Sequence, residues 1–83
     1  MARHRPLTCK EIKKVLEALG FEPRPRKGGS HEHWVKEEKG QLKKVTVDCP
    51  KAPFSQDLIK WMASQAGITK SRLYHIVENL QTN

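Results

Sequence analysis

The run Arg26-Lys27-Gly28-Gly29-Ser30-His31 gathers groups that can act on a phosphodiester. Two adjacent glycines let backbone come close to a ligand, and the N–H groups of such a turn can hold an anion. Arg26 and Lys27 stand just before them, where cations would hold a phosphate and offset charge in a transition state. His31 follows, and a neutral imidazole there could take the proton from a ribose 2′-hydroxyl. Lys27 is the candidate for charge stabilisation, with Arg26 and Lys44 as phosphate contacts; an ordinary solvated side chain explains each of the three about as well. Ser30 would orient His31 or cap the turn. Attack by a 2′-hydroxyl needs a base and then an acid for the leaving 5′-oxygen. One imidazole could serve as both in turn, or water or a nearby lysine could supply the second proton. The pieces are weak singly, since a Gly-Gly pair is usually just a turn and His4, His33 and His75 compete with His31. No carboxylate cluster suits a metal, so metal-independent chemistry without a cofactor is expected. Cys9 and Cys49 have no zinc-type spacing and read as reduced, half-buried thiols.

Such a site needs a frame. Thr8-Cys9-Lys10-Glu11 reads as a capping box. Ile12, Val15, Leu16 and Leu19 follow at helical spacing and Gly20 sits at the helix end, so the spacing predicts a helix over 8–19. Residues 1–7 are polar and basic and expected to fray. Phe21 to Lys27 holds Pro23 and Pro25, which remove N–H donors from one edge only, the pattern of an edge strand. Gly28-Gly29 makes a turn. Ser30 to Lys36 and Lys43 to Cys49 read as strands joined by a charged loop over 37–42. Val45, Val47 and Cys49 share one face of the later strand. Pro50 and Pro53 mark a loop. Ser55 caps a helix with Leu58, Ile59, Met62, Ala63 and Ala66 on one stripe, ended by Gly67. Thr69 caps another, with Leu73, Ile76, Val77 and Leu80 at helical spacing.

The order is therefore α-β-β-β-α-α, an α+β fold with an antiparallel meander in strand order 1-2-3, the first two helices on one face and the other face open. His33 has the strand parity of His31, so both belong to the open face if Trp34 faces the helices. Trp34 and Trp61 are expected in the core rather than as base-stacking platforms.

Eighty-three residues make one domain, 1–83, with no room for a second core. Sixteen Lys+Arg against nine Asp+Glu leave a formal charge of +7, which points to a polyanion. The cations recur along the whole chain, so nucleic acid is the most economical partner; a solvated surface or an acidic protein partner is the alternative. No apolar run is long enough to span a membrane, and the start lacks the apolar segment of an export signal, so a cytoplasmic protein is expected.

Leu19-Gly20-Phe21, then Arg26-Lys27-Gly28-Gly29-Ser30-His31 and the aromatic Trp34, resemble the HicA family of bacterial toxins. Val45-Thr46-Val47 and Gln65-Ala66-Gly67-Ile68 fit the same pattern, so the likeness covers about residues 7–68 and leaves 69–83 as a helical extension. The resemblance implies a fold like a double-stranded-RNA-binding domain and an endoribonuclease that cleaves messenger RNA. It implies neutralisation by a HicB-type antitoxin, and it makes His31, the histidine of the Gly-[Ser/Thr]-His motif, the catalytic residue. Pro23 and Pro25 depart from the pattern and would shorten the first strand.

Residues 59–78 also resemble a helix-turn-helix, with Ala66-Gly67-Ile68-Thr69-Lys70-Ser71-Arg72-Leu73-Tyr74 as turn and recognition helix. That reading would send Lys70, Ser71 and Arg72 into a DNA major groove. It leaves the β-rich middle and the Gly-Ser-His turn without a purpose. An RNA-binding domain without catalysis is a third possibility.

Overall fold

A computed structural model describes residues 5–24 and 31–81. The elements run α1 (Cys9–Ala18), β1 (Glu22–Arg24), β2 (His31–Glu38), β3 (Gln41–Asp48), a 3-10 turn (Cys49–Lys51), α2 (Gln56–Ala66) and α3 (Lys70–Gln81). The three strands form one antiparallel sheet in the order β1-β2-β3. The α+β fold, α-β-β-β-α with a further C-terminal helix, is the one its sequence pattern predicts.

The helices start and stop where local chemistry dictates. The Thr8 hydroxyl accepts the Glu11 N–H at 3.2 Å, and the Glu11 carboxylate accepts the Thr8 N–H at 2.9 Å. This closes the capping box and satisfies two N–H groups that α1 cannot satisfy itself. At the other end Gly20 takes φ 94°, a left-handed conformation that costs glycine little. Its N–H reaches the Glu17 carbonyl, and the Phe21 N–H reaches that of Leu16. This pair of bonds reverses the chain and brings Phe21 under the helix, where it is buried. Ser55 and Thr69 cap α2 and α3 through the N–H groups of Leu58 and Arg72.

Four local expectations need correction. The loop over 37–42 is a two-residue turn instead. β2 runs on to Glu38 and β3 begins at Gln41, with Lys39 at φ 52° and Gly40 at φ 78° between them. Two successive positive φ values twist the chain with the hand that the flanking strands already have. Residues 5–7 do not fray. Leu7 is fully buried and its carbonyl accepts the Phe54 N–H at 2.8 Å, while the Tyr74 hydroxyl donates to the Arg5 carbonyl. Cys9 and Cys49 are not separate thiols. They form a disulfide with Cα atoms 5.3 Å apart, because the first turn of α1 lies over the end of β3. Trp61 is 63% exposed on α2, off the apolar stripe that faces the core, and Leu80 is 37% exposed near the end of α3.

The core gathers Ile12, Val15 and Leu16 of α1, Trp34, Val45 and Val47 of the sheet, Ile59, Met62, Ala63 and Ala66 of α2, and Leu73, Tyr74 and Val77 of α3. α2 lies on β3, and α3 packs mainly against α1. Trp34 is buried, so β2 presents its even-numbered positions to the helices. Lys13 of α1 confirms the direction, pairing with Glu32 at 2.6 Å.

Candidate functional site

The face of the sheet away from the helices is set by strand alternation and register. Across β2 the Cα partners are Arg24, His33 and Thr46 in one row, and Glu22, Val35 and Lys44 in the next. Beyond the first row, His31 stands opposite Asp48. Glu22, Arg24 and Lys44 are exposed; His33, Val35, Thr46 and Asp48 are partly buried. With Trp34 buried toward the helices, His33 belongs to the open face, as its strand parity predicts.

The row through His33 is held at both ends of its polar contact. His33 Nδ1 lies 3.3 Å from the Thr46 hydroxyl. Thr46 in turn donates its backbone N–H to Gln65 Oε1 of α2 at 3.2 Å. That second bond shows that the Thr46 N–H points away from β2. Thr46 and His33 therefore form a non-hydrogen-bonded pair, the kind in which cross-strand side chains lie closest. The same alternation turns the backbone of His33 toward β1 and leaves the nitrogen of Pro23, opposite Trp34, on the outer edge. Proline costs β1 no ladder hydrogen bond there, as an edge strand requires.

Charge on this face is mixed. Arg24 and Lys44 stand among Glu22, Glu37 and Asp48. Lys44 shares the face with His33, but lies opposite Val35, four residues from His31, or about 13 Å along the strand. Arg26, Lys27, Gly28, Gly29 and Ser30 lie outside the described residues, as does Pro25. For His31 the backbone alone is described: it is the first residue of β2. Sequence reasoning missed Arg24 and Thr46 as neighbours of the site. Strand parity counted from His33 would have found Thr46 once the hairpin turn was known to be Lys39-Gly40. Trp34 is 3% exposed and cannot stack a base. Its Nε1 finds no hydrogen-bond acceptor among the described residues, so it serves the core as an apolar surface.

A family model for the HicA toxin of bacterial toxin-antitoxin systems matches residues 9–68. The chain belongs to the HicA toxin family. The match runs from the first residue of α1 to the residue after Gly67, so it takes in the whole sheet and the Gly-Ser-His motif. This HicA chain adds α3 beyond the matched region, and α3 buries Leu73, Tyr74 and Val77 in the same core as α1. No curated protein and no solved structure matches the chain. Membership makes the protein a toxin of a toxin-antitoxin system, and such a toxin has an antitoxin partner. Among the described residues no helix is long and apolar enough to cross a membrane.

Proposed function

We propose that this toxin is an endoribonuclease that cleaves messenger RNA, with His31 as the residue that takes the proton from the attacking 2′-hydroxyl. The 2′-oxygen would attack the adjacent phosphorus, and the bond from phosphorus to the 5′-oxygen would break, leaving a 2′,3′-cyclic phosphate and a 5′-hydroxyl. Arg26 and Lys27, with the N–H groups of Gly28 and Gly29, would hold the phosphate, and Ser30 would orient His31. Lys44 would contact the strand further along. A HicB-type antitoxin would mask this face in the cytoplasm.

The observation that carries this reading is that the Gly-Ser-His histidine of a HicA family member opens β2, beside a sheet face that no helix covers among the described residues. Three features support it: the family, the +7 charge of the chain, and the polar row next to His31. The helix-turn-helix reading has less behind it. Lys70, one of its three groove residues, donates to Gln56 Oε1 at 2.9 Å, and the apolar side of α3 is spent on α1.

The test incubates the purified protein with a structured messenger RNA in EDTA, beside folded His31→Ala. Cleavage by the wild type alone is expected. Equal cleavage by both would remove His31 from the chemistry. No cleavage, with binding to a DNA duplex, would turn the reading toward a DNA-binding regulator. Binding to RNA that leaves its length unchanged would turn it toward a non-catalytic domain.

A further inference from the structure

The reaction requires two proton transfers on opposite sides of one phosphorus. In-line displacement sets the attacking 2′-oxygen and the leaving 5′-oxygen across the phosphorus from each other. A base that reaches one oxygen within hydrogen-bond distance does not reach the other in the same pose. Two groups flanking a phosphate solve this, provided that they stand several ångströms apart and on one surface. Positions i and i+2 of a strand meet that condition, since they share a face and lie about 6.6 Å apart. His31 and His33 are such a pair in β2.

We propose that His33 is the general acid of this reaction, giving its proton to the leaving 5′-oxygen while His31 accepts one from the 2′-hydroxyl. The proposal rests on the ribonuclease reading with His31 as base. In the balanced step, the 2′-oxygen to phosphorus bond forms and the bond from phosphorus to the 5′-oxygen breaks. One proton passes to His31 and one leaves His33, so the pair ends with its protons exchanged. Hydrolysis of the cyclic phosphate by water runs the same two groups in reverse and restores them.

The geometry around His33 suits this role. Its Nδ1 is held 3.3 Å from the Thr46 hydroxyl, so an imidazolium that donates there presents its Nε2 proton at the far side of the ring. Thr46 is itself fixed through its backbone N–H by Gln65 of α2. Thr46 is thus a positioning residue, tied to the helical layer although it faces away from it. Arg24 stands in register with His33 on the neighbouring strand, exposed, where a guanidinium would meet a phosphate oxygen. Among the described residues, the other charged groups on this face are Lys44 and Asp48 of β3, Glu22 of β1 and Glu37 of β2. Among the described residues no helix packs over this face.

A substrate whose leaving group needs no proton separates an acid from a merely structural residue. An RNA oligonucleotide with one 5′-bridging sulfur at the cleavage site leaves as a thiolate. Wild type and His33→Gln are compared on this substrate and on the all-oxygen RNA, with His31→Gln beside them. Glutamine keeps a hydrogen-bonding group next to Thr46. For His33→Gln, kcat should fall by about 100-fold on the all-oxygen RNA. On the sulfur-bridged RNA it should stay within a few-fold of wild type, with KM little changed on either. The alkaline limb of the wild-type pH–rate profile should be lost in the variant. Equal losses on both substrates, or no loss on either, would overturn the assignment while leaving His31 as base. A wild type that cleaves neither substrate would overturn the ribonuclease reading, and His31→Gln as active as wild type would remove His31 as base; either result overturns this assignment. Thr46→Val should lower kcat in the same substrate-dependent way by a smaller factor, and its failure to do so would remove the positioning role.

Discussion

Replacing Glu11 by glutamine tests the device that starts α1 and ties the N-terminal segment to it. The Glu11 carboxylate accepts the Thr8 N–H and pairs with the Arg5 guanidinium at 2.5 Å. Its pKa is lowered from 4.5 to about 2, chiefly by the hydrogen bond from Arg5, with partial burial opposing and the Thr8 backbone N–H assisting. A carboxylate held below its ordinary range contributes stability that is fully present above pH 4.5. That stability is lost as the pH falls toward 2. Taken at face value the shift corresponds to about 3 kcal/mol. Arg5 is 47% exposed, however, so water and salt screen the pair, and about 1–2 kcal/mol is the realistic contribution. Glutamine can still complete a capping box but cannot pair with Arg5. Urea unfolding followed by circular dichroism at pH 7, 4.5 and 2 measures the difference directly. The variant should be less stable by about 1–2 kcal/mol at pH 7, and the two curves should converge near pH 2. A gap independent of pH would mean that the carboxylate charge is not the source. No gap at pH 7 would mean that the Arg5 pair contributes nothing to folding.

Two further outcomes follow from the same structure. The disulfide closes a loop of 40 residues, so reduction should lower the stability of the oxidised protein by about 4 kcal/mol on the chain-entropy account, seen as a fall in the urea midpoint that Cys9→Ser reproduces without reductant; an unchanged midpoint would refute it. Gly40→Ala adds a methyl group into open space at φ 78°, so any loss comes from backbone conformation alone and should be about 1–2 kcal/mol in the same unfolding assay, with the β2–β3 register intact by amide exchange.

Much of the frame was legible because it is local. The Thr8-to-Glu11 box, the Gly20-Phe21 reversal, the Ser55 and Thr69 caps and the apolar stripes of α2 and α3 each depend on residues within a turn or two of one another. The alternation of Val45 and Val47 carried the face of β3, and Trp34 carried that of β2. The errors share a different origin. Charge over 37–42 suggests a loop, but Lys39-Gly40 can turn the chain in two residues, and the charged side chains beside the turn stay exposed at the end of the paired strands. Residue type alone places Trp61 in the core, but its position off the stripe of Ile59, Met62, Ala63 and Ala66 turns it to solvent.

By itself the sequence determined the order of elements, the open face of the sheet and membership in the HicA family, since capping, periodicity and motif are properties of short segments. Only the tertiary structure decided which distant residues meet. Cys49 reaches Cys9 because α1 crosses the end of β3, and a separation of 40 residues carries no sign of that contact. Leu7 is core because Phe54 returns beside it. Thr46 stands by His33, with Gln65 behind it, because the hairpin register brings residues 13 apart together and α2 folds onto the free edge of β3. Register is set by the exact length of a turn and by packing on the buried face, and a shift of one residue would turn every side chain of the strand to the opposite side.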